Sequence, residues 1–578
     1  MSTLANVLLK DSPLYVRTEG TVLAGEVLLR EGQEASFDTY FGSLSVNAYK
    51  NCTAISTIGL RVVAFGALRI EIIVLNNKKD GRSEKKITLY AENNYEKAER
   101  TIDCRIAVPM DGLLYFKAIA LSDQVSVKSA YYYAEDAPKN DVSLAVAICT
   151  YKREAYVKKN VQKIAEWKEI SGEDPTVYVV DNGNTLTEGD VPGAVLIKNP
   201  NLGGSGGFCR GMAEAKKAGF THVLLMDDDV SFESEIFGRI LGFLRYVNEP
   251  DSVGIGASMI VEEKPTIQFE LGATWDGDRL RGLGKEVDLT DPNVLLENAT
   301  RDQADYTAWW CCCMPLSVTD KVGYPLPLFI KNDDVEYGIR SGLRWAFPSG
   351  VGVWHTSFES KYVPYLEYYI KRNELISNCL NRKRGTLSQF LKLVRSASLQ
   401  LVQQRYFVIP FMMMGYEDFL KGPEYLEKLD AESKNKELIK LQPKQYTAEE
   451  LLSMGYDVTV PVHGKKRRKV WQVVTLNGQL LPTFFYKKEA KTRVLDCNNC
   501  PPRDFFGATT TVQFNYSSGK GFVTKQKRTE LFRWGFAFIK MAVKMTFTYR
   551  KVCKKYQEKA PYLTSLEYWK KQWRNTNE

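Results

Sequence analysis

Between residues 144 and 229, four apolar runs alternate with helix-like stretches, and each run ends in polar residues. The runs are Leu144-Ala145-Val146-Ala147-Ile148-Cys149, Val177-Tyr178-Val179-Val180, Val195-Leu196-Ile197 and Val223-Leu224-Leu225-Met226. A strand that is apolar throughout must be covered on both faces, and strands alternating with helices build the parallel sheet in which this happens. Ligands of such sheets lie beyond the carboxyl ends of the strands. Those ends here carry Thr150 to Arg153, Asp181-Asn182-Gly183, Asn199 to Gly207 and Asp227-Asp228-Asp229. The pattern therefore predicts an α/β core with one ligand-binding edge.

Three adjacent carboxylates repel one another and must be hydrated or neutralised. A hard divalent cation such as Mg²⁺ or Mn²⁺ neutralises them, and such ions commonly also hold substrate phosphates. Asp227 to Asp229 are thus a candidate site for a nucleotide-diphosphate substrate, against the simpler reading of a solvated acidic turn. Asn201-Leu202-Gly203-Gly204-Ser205-Gly206-Gly207 runs into a helix, where close backbone approach and a helix N-terminus suit an anion. Its spacing is neither the dinucleotide fingerprint nor a Walker loop. Asp333-Asp334 form a second acid pair, able to cap a helix or to supply a general base to an acceptor hydroxyl. His355, one of three histidines, ends the run Val351-Gly352-Val353-Trp354 and is placed to share an ion with Asp229. Trp309-Trp310 are candidates either for the core or for a platform under a sugar ring.

A chain of 578 residues has room for three or four domains. Residues 1–138 hold short β-branched and aromatic runs separated by Asn, Gly and Asp clusters, as in an antiparallel β-sandwich. Residues 139–380 carry the α/β pattern, and 381–578 read as mainly helical and basic, with Lys465-Lys466-Arg467-Arg468-Lys469 as the densest charge run. Leu531, Trp534, Phe538, Met541, Met545 and Val552 recur at helical spacing beside Arg533, Lys540, Lys544, Lys551 and Lys555. Such a helix fits either an anionic membrane surface or a protein partner, its own domain or a sister subunit. The net charge of +9 is mild for this length and does not call for nucleic acid. The N-terminus lacks a secretory pattern, and the eleven scattered cysteines read as reduced core residues of a cytoplasmic protein. Cys497-x-x-Cys500 is half of a zinc pattern and is assigned no metal.

Taken together, a basic first strand end, acids after the second and fourth strands, a second acid pair and a late histidine resemble an inverting glycosyltransferase of the GT-A fold. The resemblance narrows to the large bacterial galactofuranosyltransferases that polymerise cell-wall galactan. It rests on Asn201 to Phe208, Asp227-Asp228-Asp229, Trp309-Trp310, Phe329-Ile330-Lys331 with Asp333-Asp334, Trp354-His355, Tyr368-Tyr369-x-x-Arg372-Asn373, and the N-terminal β-domain with Tyr40-Phe41. It covers residues 1 to about 380; beyond them only the helical character matches. It implies that Arg153, Asp181 and Asn201 hold the uridine and diphosphate of UDP-galactofuranose, and that Asp227 contacts its ribose or phosphate. It further implies that Asp229 and His355 ligate Mn²⁺ or Mg²⁺, that Asp334 deprotonates a lipid-linked or polysaccharide acceptor, and that Asp333, Trp309 and Trp310 place that acceptor. Asn332 departs from the pattern, which has an aromatic residue beside the acid pair, and this bears on acceptor identity and linkage. The competing readings are a transferase of another nucleotide sugar such as dTDP-rhamnose, a sugar-1-phosphate nucleotidyltransferase, and a non-catalytic glycan-binding protein. The nucleotidyltransferase needs its glycine-rich loop directly after the first strand, whereas here the loop comes about fifty residues later. Oligomeric state is left open.

Overall fold

The computed structural model describes residues 2–77, 84–95, 98–108, 111–277, 279–301, 304–358, 363–382, 384–461, 469–482, 484 and 492–574. Lys465 to Arg468 of the basic run lie outside the described residues.

Residues 2–134 fold into two antiparallel sheets of six strands each. Along Thr57–Phe65 the inward residues Leu60, Val62 and Ala64 are fully buried while Arg61 and Val63 are half-buried, the period of two expected of a one-sided strand. Ile70 and Ile72 from the other sheet join them in one core, with Phe37 stacked on Phe116 at 4.1 Å between centroids. The same core continues into the next domain through Ile236, Ile240 and Phe243.

That second domain is built on a seven-stranded sheet of β1 (Leu144–Thr150), β2 (Thr176–Asp181), β3 (Val195–Lys198), β4 (His222–Asp227), β5 (Val253–Gly256), β6 (Cys311–Pro315) and β7 (Arg344–Ala346), in the order 3-2-1-4-6-5-7. Strands β1 to β4 are parallel, as their apolar sequences require, and β6 runs antiparallel to both β4 and β5. The cysteines of β6 are buried sheet residues with free thiols. Helix α1 (Glu154–Ser171) follows β1, and α2 (Gly203–Lys217) crosses from β3 to β4. Strand β8 (Gly352–His355) belongs to a separate five-stranded sheet, where Trp354 pairs with Ser231. Because Ser231 lies two residues after Asp229, this pairing draws His355 to the acid triplet.

Helix Glu235–Leu244 fastens the two domains together. Its Arg239, 1 % exposed, donates to the carbonyls of Asn6 (2.8 Å), Phe41 (2.5 Å) and Ser349 (2.7 Å). Glu235 on the same helix accepts from the backbone and side chain of Asn6 at 2.6 and 2.8 Å. A charged group so deeply buried is tolerated when its two terminal nitrogens are satisfied in this way.

The C-terminal region is helical, as the composition predicts, but it also contains a four-stranded sheet of Tyr446–Thr447, Lys520–Lys525, Thr510–Asn515 and Thr492–Asp496. Arg405 places its guanidinium 3.2 Å from the sulfur of Cys500 and 3.7 Å from that of Cys497, a cation where a metal would have to sit. The region ends in α5 (Arg528–Leu563) and α6 (Leu566–Arg574). The apolar stripe expected to face either a membrane or a protein partner is turned inward. Trp534, Met541, Met545 and Val552 are buried against the protein's own helices, with Leu531 and Phe538 packed at the edge. A different stripe, Phe532, Phe536, Ile539, Val543 and Phe547, faces outward, Phe547 with 71 % of its surface exposed. No helix among the described residues is long and apolar enough to cross a membrane.

Candidate active site

Strand β4 ends at Asp227, and its next two residues turn across the carboxyl edge of the sheet. The three carboxylates are neutralised unequally. Asp228, for which the sequence offers no role, accepts from Thr150 Oγ1 at 2.8 Å and pairs with Arg153 at 3.1 Å. Its backbone carbonyl and that of Val230 accept from the buried amide of Asn160, which fixes the turn. Burial pushes the Asp228 carboxyl up, and Arg153 and Thr150 counter it. Arg153 also pairs with Asp229 at 2.5 Å. Arg153, expected on the donor phosphates, thus spans two of the three acids. Thr150 is already marked in the sequence by its place at the end of β1, whereas Asn160 escapes sequence reading because nothing marks a polar residue on α1 as reaching the β4 turn.

His355 completes the group. Its Nδ1 lies 2.7 Å from the carbonyl of Thr356, so Nδ1 carries the proton and Nε2 presents its lone pair. Nε2 lies 3.3 Å from Asp229 Oδ1. One ligand atom each from Asp227, Asp229 and His355 lie within 4.8 Å of one another. Octahedral coordination at about 2.1 Å separates ligand atoms by about 3–4 Å. Two carboxylates and a neutral imidazole nitrogen converging in this way fit a divalent cation. Burial, with Asp229 beside it, raises the Asp227 carboxyl to about 7, the strain that a cation relieves.

The second acid pair lies on the other wall of the same cleft, which has a volume of about 400 Å³ and is lined by Arg153, Gly204, Phe208, Asp227 to Asp229, Ala308 to Trp310, Ile330 to Asp334, His355 and Phe358. Helix α3 (Asp333–Ser341) begins at the pair. Ser205 Oγ donates to Asp333 at 3.0 Å, while Asp334 accepts from the adjacent Val335 amide at 2.8 Å. Burial first, and Asp333 second, raise the Asp334 carboxyl to about 7. Trp309 and Trp310 line the cleft although each is only 5 % exposed. Trp309 packs edge-on to Phe208, and Trp310 donates its indole N–H to the carbonyl of Ala257 at 3.1 Å.

Two expected donor residues stand apart from this lining. Asp181 is fully buried and accepts from the amides of Gly183, Thr185 and Leu186 at 2.7–2.9 Å, so its charge folds the loop after β2. Asn201 accepts from the Gly203 amide at 3.3 Å and likewise shapes its own loop. The glycines serve packing more than ligand approach. Gly203 has φ +69°, and a Cβ on it would lie 2.1 Å from the carbonyl oxygen of Phe329; one on Gly207 would lie 2.1 Å from the Cys149 sulfur. Only Gly204 of the four lines the cleft. Beneath this turn Trp569 of α6 lies 3.3 Å from where a Gly206 Cβ would sit, and donates to the carbonyl of Pro325 at 2.9 Å.

Residues 141–374 match the family model described as glycosyltransferase like family 2. Over 588 residues the chain is 26% identical to galactofuranosyltransferase GlfT2 of Mycolicibacterium smegmatis, covering 93% of this chain and 88% of that protein. It is 27% identical to GlfT2 of Mycobacterium tuberculosis over 476 residues, 75% of this chain and 72% of that one. A mannosyltransferase of Pyrobaculum calidifontis, solved with GDP-Man and Mn²⁺, shares 13% identity over 49% of this chain and 77% of its own, at a TM-score of 0.29 that adds nothing to the topology. The protein is a glycosyltransferase with a GT-A-like catalytic domain, and the relatives it resembles over most of its length are galactofuranosyltransferases.

Proposed function

We propose that the protein transfers galactofuranose from UDP-galactofuranose to a lipid-linked or growing polysaccharide acceptor, with inversion at the anomeric carbon and with Mn²⁺ or Mg²⁺ bound. The carrying observation is that one cleft bears two acid groups on opposing walls, Asp227-Asp229-His355 and Asp333-Asp334. Asp229 and His355, with Asp227 beside them, would hold the cation, which supplies positive charge to the departing UDP. Arg153 adds a second positive charge at that wall, and Asp227 also serves the nucleotide ribose or phosphate. Asp181 and Asn201 act on the donor through the loops they shape. On the opposite wall Asp334 takes the proton of the acceptor hydroxyl as its oxygen bonds to the anomeric carbon, and the bond from that carbon to the UDP oxygen breaks. Asp333, held by Ser205, places the acceptor together with Trp309 and Trp310.

The test is transfer from UDP-galactofuranose to lipid-linked and synthetic galactan acceptors, with and without chelator, and with product linkage determined by NMR. Metal-dependent transfer is expected. Turnover with dTDP-rhamnose but not with UDP-galactofuranose would overturn the donor assignment.

We also propose contact with an anionic membrane surface. The exposed aromatic and aliphatic stripe of α5, flanked by exposed Lys540, Lys544 and Lys551, supports it, and so does helix Thr386–Val402 packed beside α5, with exposed Leu387 and Leu391.

A further inference from the structure

The segment that leads into the second acid pair is held in an unusual backbone conformation. Phe329, Lys331 and Asn332 all have positive φ, at 73°, 66° and 67°. L residues rarely adopt this region, so the surrounding structure must impose it. Part of the restraint is Gly203, pressed against the Phe329 carbonyl, which also accepts from the Ser205 amide at 3.2 Å.

The rest comes from α4 (Leu366–Ser377). Asn373, fully buried, points its amide nitrogen at three carbonyls of the segment: Leu328 at 3.2 Å, Ile330 at 3.0 Å and Lys331 at 2.7 Å. The amide orientation is fixed, because Asn373 Oδ1 accepts from Arg372 Nε at 2.9 Å. Arg372 in turn donates to the Leu328 carbonyl at 2.8 Å and to the Tyr368 hydroxyl at 3.2 Å, and Tyr368 donates to Asp418 at 2.7 Å. Phe329 stacks on Tyr369 at 5.5 Å between centroids. None of these α4 side chains lines the cleft.

We propose that Asn373 is a positioning residue for glycosyl transfer: by gathering the carbonyls of Leu328, Ile330 and Lys331, it sets the left-handed turn at Lys331-Asn332 that aims Asp334 at the acceptor hydroxyl. The proposal rests on Asp334 being the base. It follows from connectivity, since one residue separates the last gathered carbonyl from the acid pair. A carboxylate displaced by about 1 Å loses on the order of 100-fold in rate while the donor side is untouched.

The experiment compares full-length Asn373→Ala, Asn373→Asp and Asp334→Asn, measuring kcat and donor KM at saturating acceptor, UDP binding by calorimetry and the thermal melt. The aspartate keeps the shape of Asn373 but cannot donate to the carbonyls. Both Asn373 variants are expected to lose about 10- to 100-fold in kcat, with UDP affinity and donor KM within about twofold of the parent. Parental kcat in Asn373→Ala, or UDP affinity falling in step with kcat, overturns the positioning role. Should both variants fail to fold, Tyr368→Phe reads the same network from its far end. A several-fold lower kcat with parental UDP binding supports the role, and parental kcat overturns it. An active Asp334→Asn removes the base assignment itself, whereas an inactive one beside a fully active Asn373→Ala removes only the positioning.

Discussion

Asp227, Asp228 and Asp229 are neighbours in sequence with different surroundings: Asp228 is bound to Thr150 and shares Arg153 with Asp229, whereas Asp227 and Asp229 turn toward His355. The importance of the triplet was legible from its place after an apolar strand. The division of labour was not, because it depends on residues such as Asn160 that meet the turn only through the fold. At this scale the sharpest expectation concerns Asp334. If it is the base, Asp334→Asn lowers kcat by on the order of 10²–10⁴ while UDP affinity, read by calorimetry, is unchanged. A base must be ionised to accept a proton, and this carboxyl is raised to about 7. Activity is therefore present above that pH and lost as pH falls through it. The kcat/KM profile, taken at saturating cation so that Asp227 stays ionised, should show an acid limb near 7. A profile flat down to pH 5 would count against Asp334.

Among elements, α2 and the long helix Arg528–Leu563 show two ways in which a sequence pattern can be real and still leave its use undecided. The glycines before α2 do mark close approach, but the approaching groups are the Phe329 carbonyl and the Cys149 sulfur. Gly203→Ala combines a positive φ with that clash. It should cost about 2 kcal/mol of stability by urea denaturation and lower kcat as well, since the turn before Asp333 must shift. The helical period of the long helix was read correctly, yet it carries two apolar stripes, and periodicity alone does not say which one its own domain covers. The exposed stripe gives the membrane test. Serine at Phe532, Phe536 and Phe547 together should reduce flotation with anionic vesicles by at least about tenfold, on the scale of burying several aromatic side chains, and leave the melt unchanged. Undiminished flotation would remove the stripe from that role.

For the whole molecule, the α/β core was legible because parallel strands must be apolar throughout, and the β-sandwich because its strands alternate. The four-stranded C-terminal sheet was not, since its strands are short and the first, Tyr446–Thr447, lies far from the other three in sequence. The interdomain fastening was equally hidden: Arg239 lies within an apolar helix, and its three carbonyl partners are distributed over residues 6, 41 and 349. Arg239→Met should lower stability by about 3 kcal/mol in urea, because three buried carbonyls lose their donor and the buried Glu235 loses its neighbouring positive charge, and limited proteolysis should release the N-terminal domain. An unchanged urea midpoint would show that the apolar core alone joins the domains.

The packing of Trp569 beneath the glycine turn has a consequence for synthesis. The glycine turn behind the cleft is braced by Trp569, whereas the domain it braces starts near residue 141. Because domains fold in order as they leave the ribosome, the catalytic sheet, complete once Arg344–Ala346 has emerged, must wait for roughly two hundred further residues before Trp569 can reach it. A product nicked before Trp569 would keep the sheet and lose the brace, and the turn that carries Gly204 into the cleft is expected to loosen.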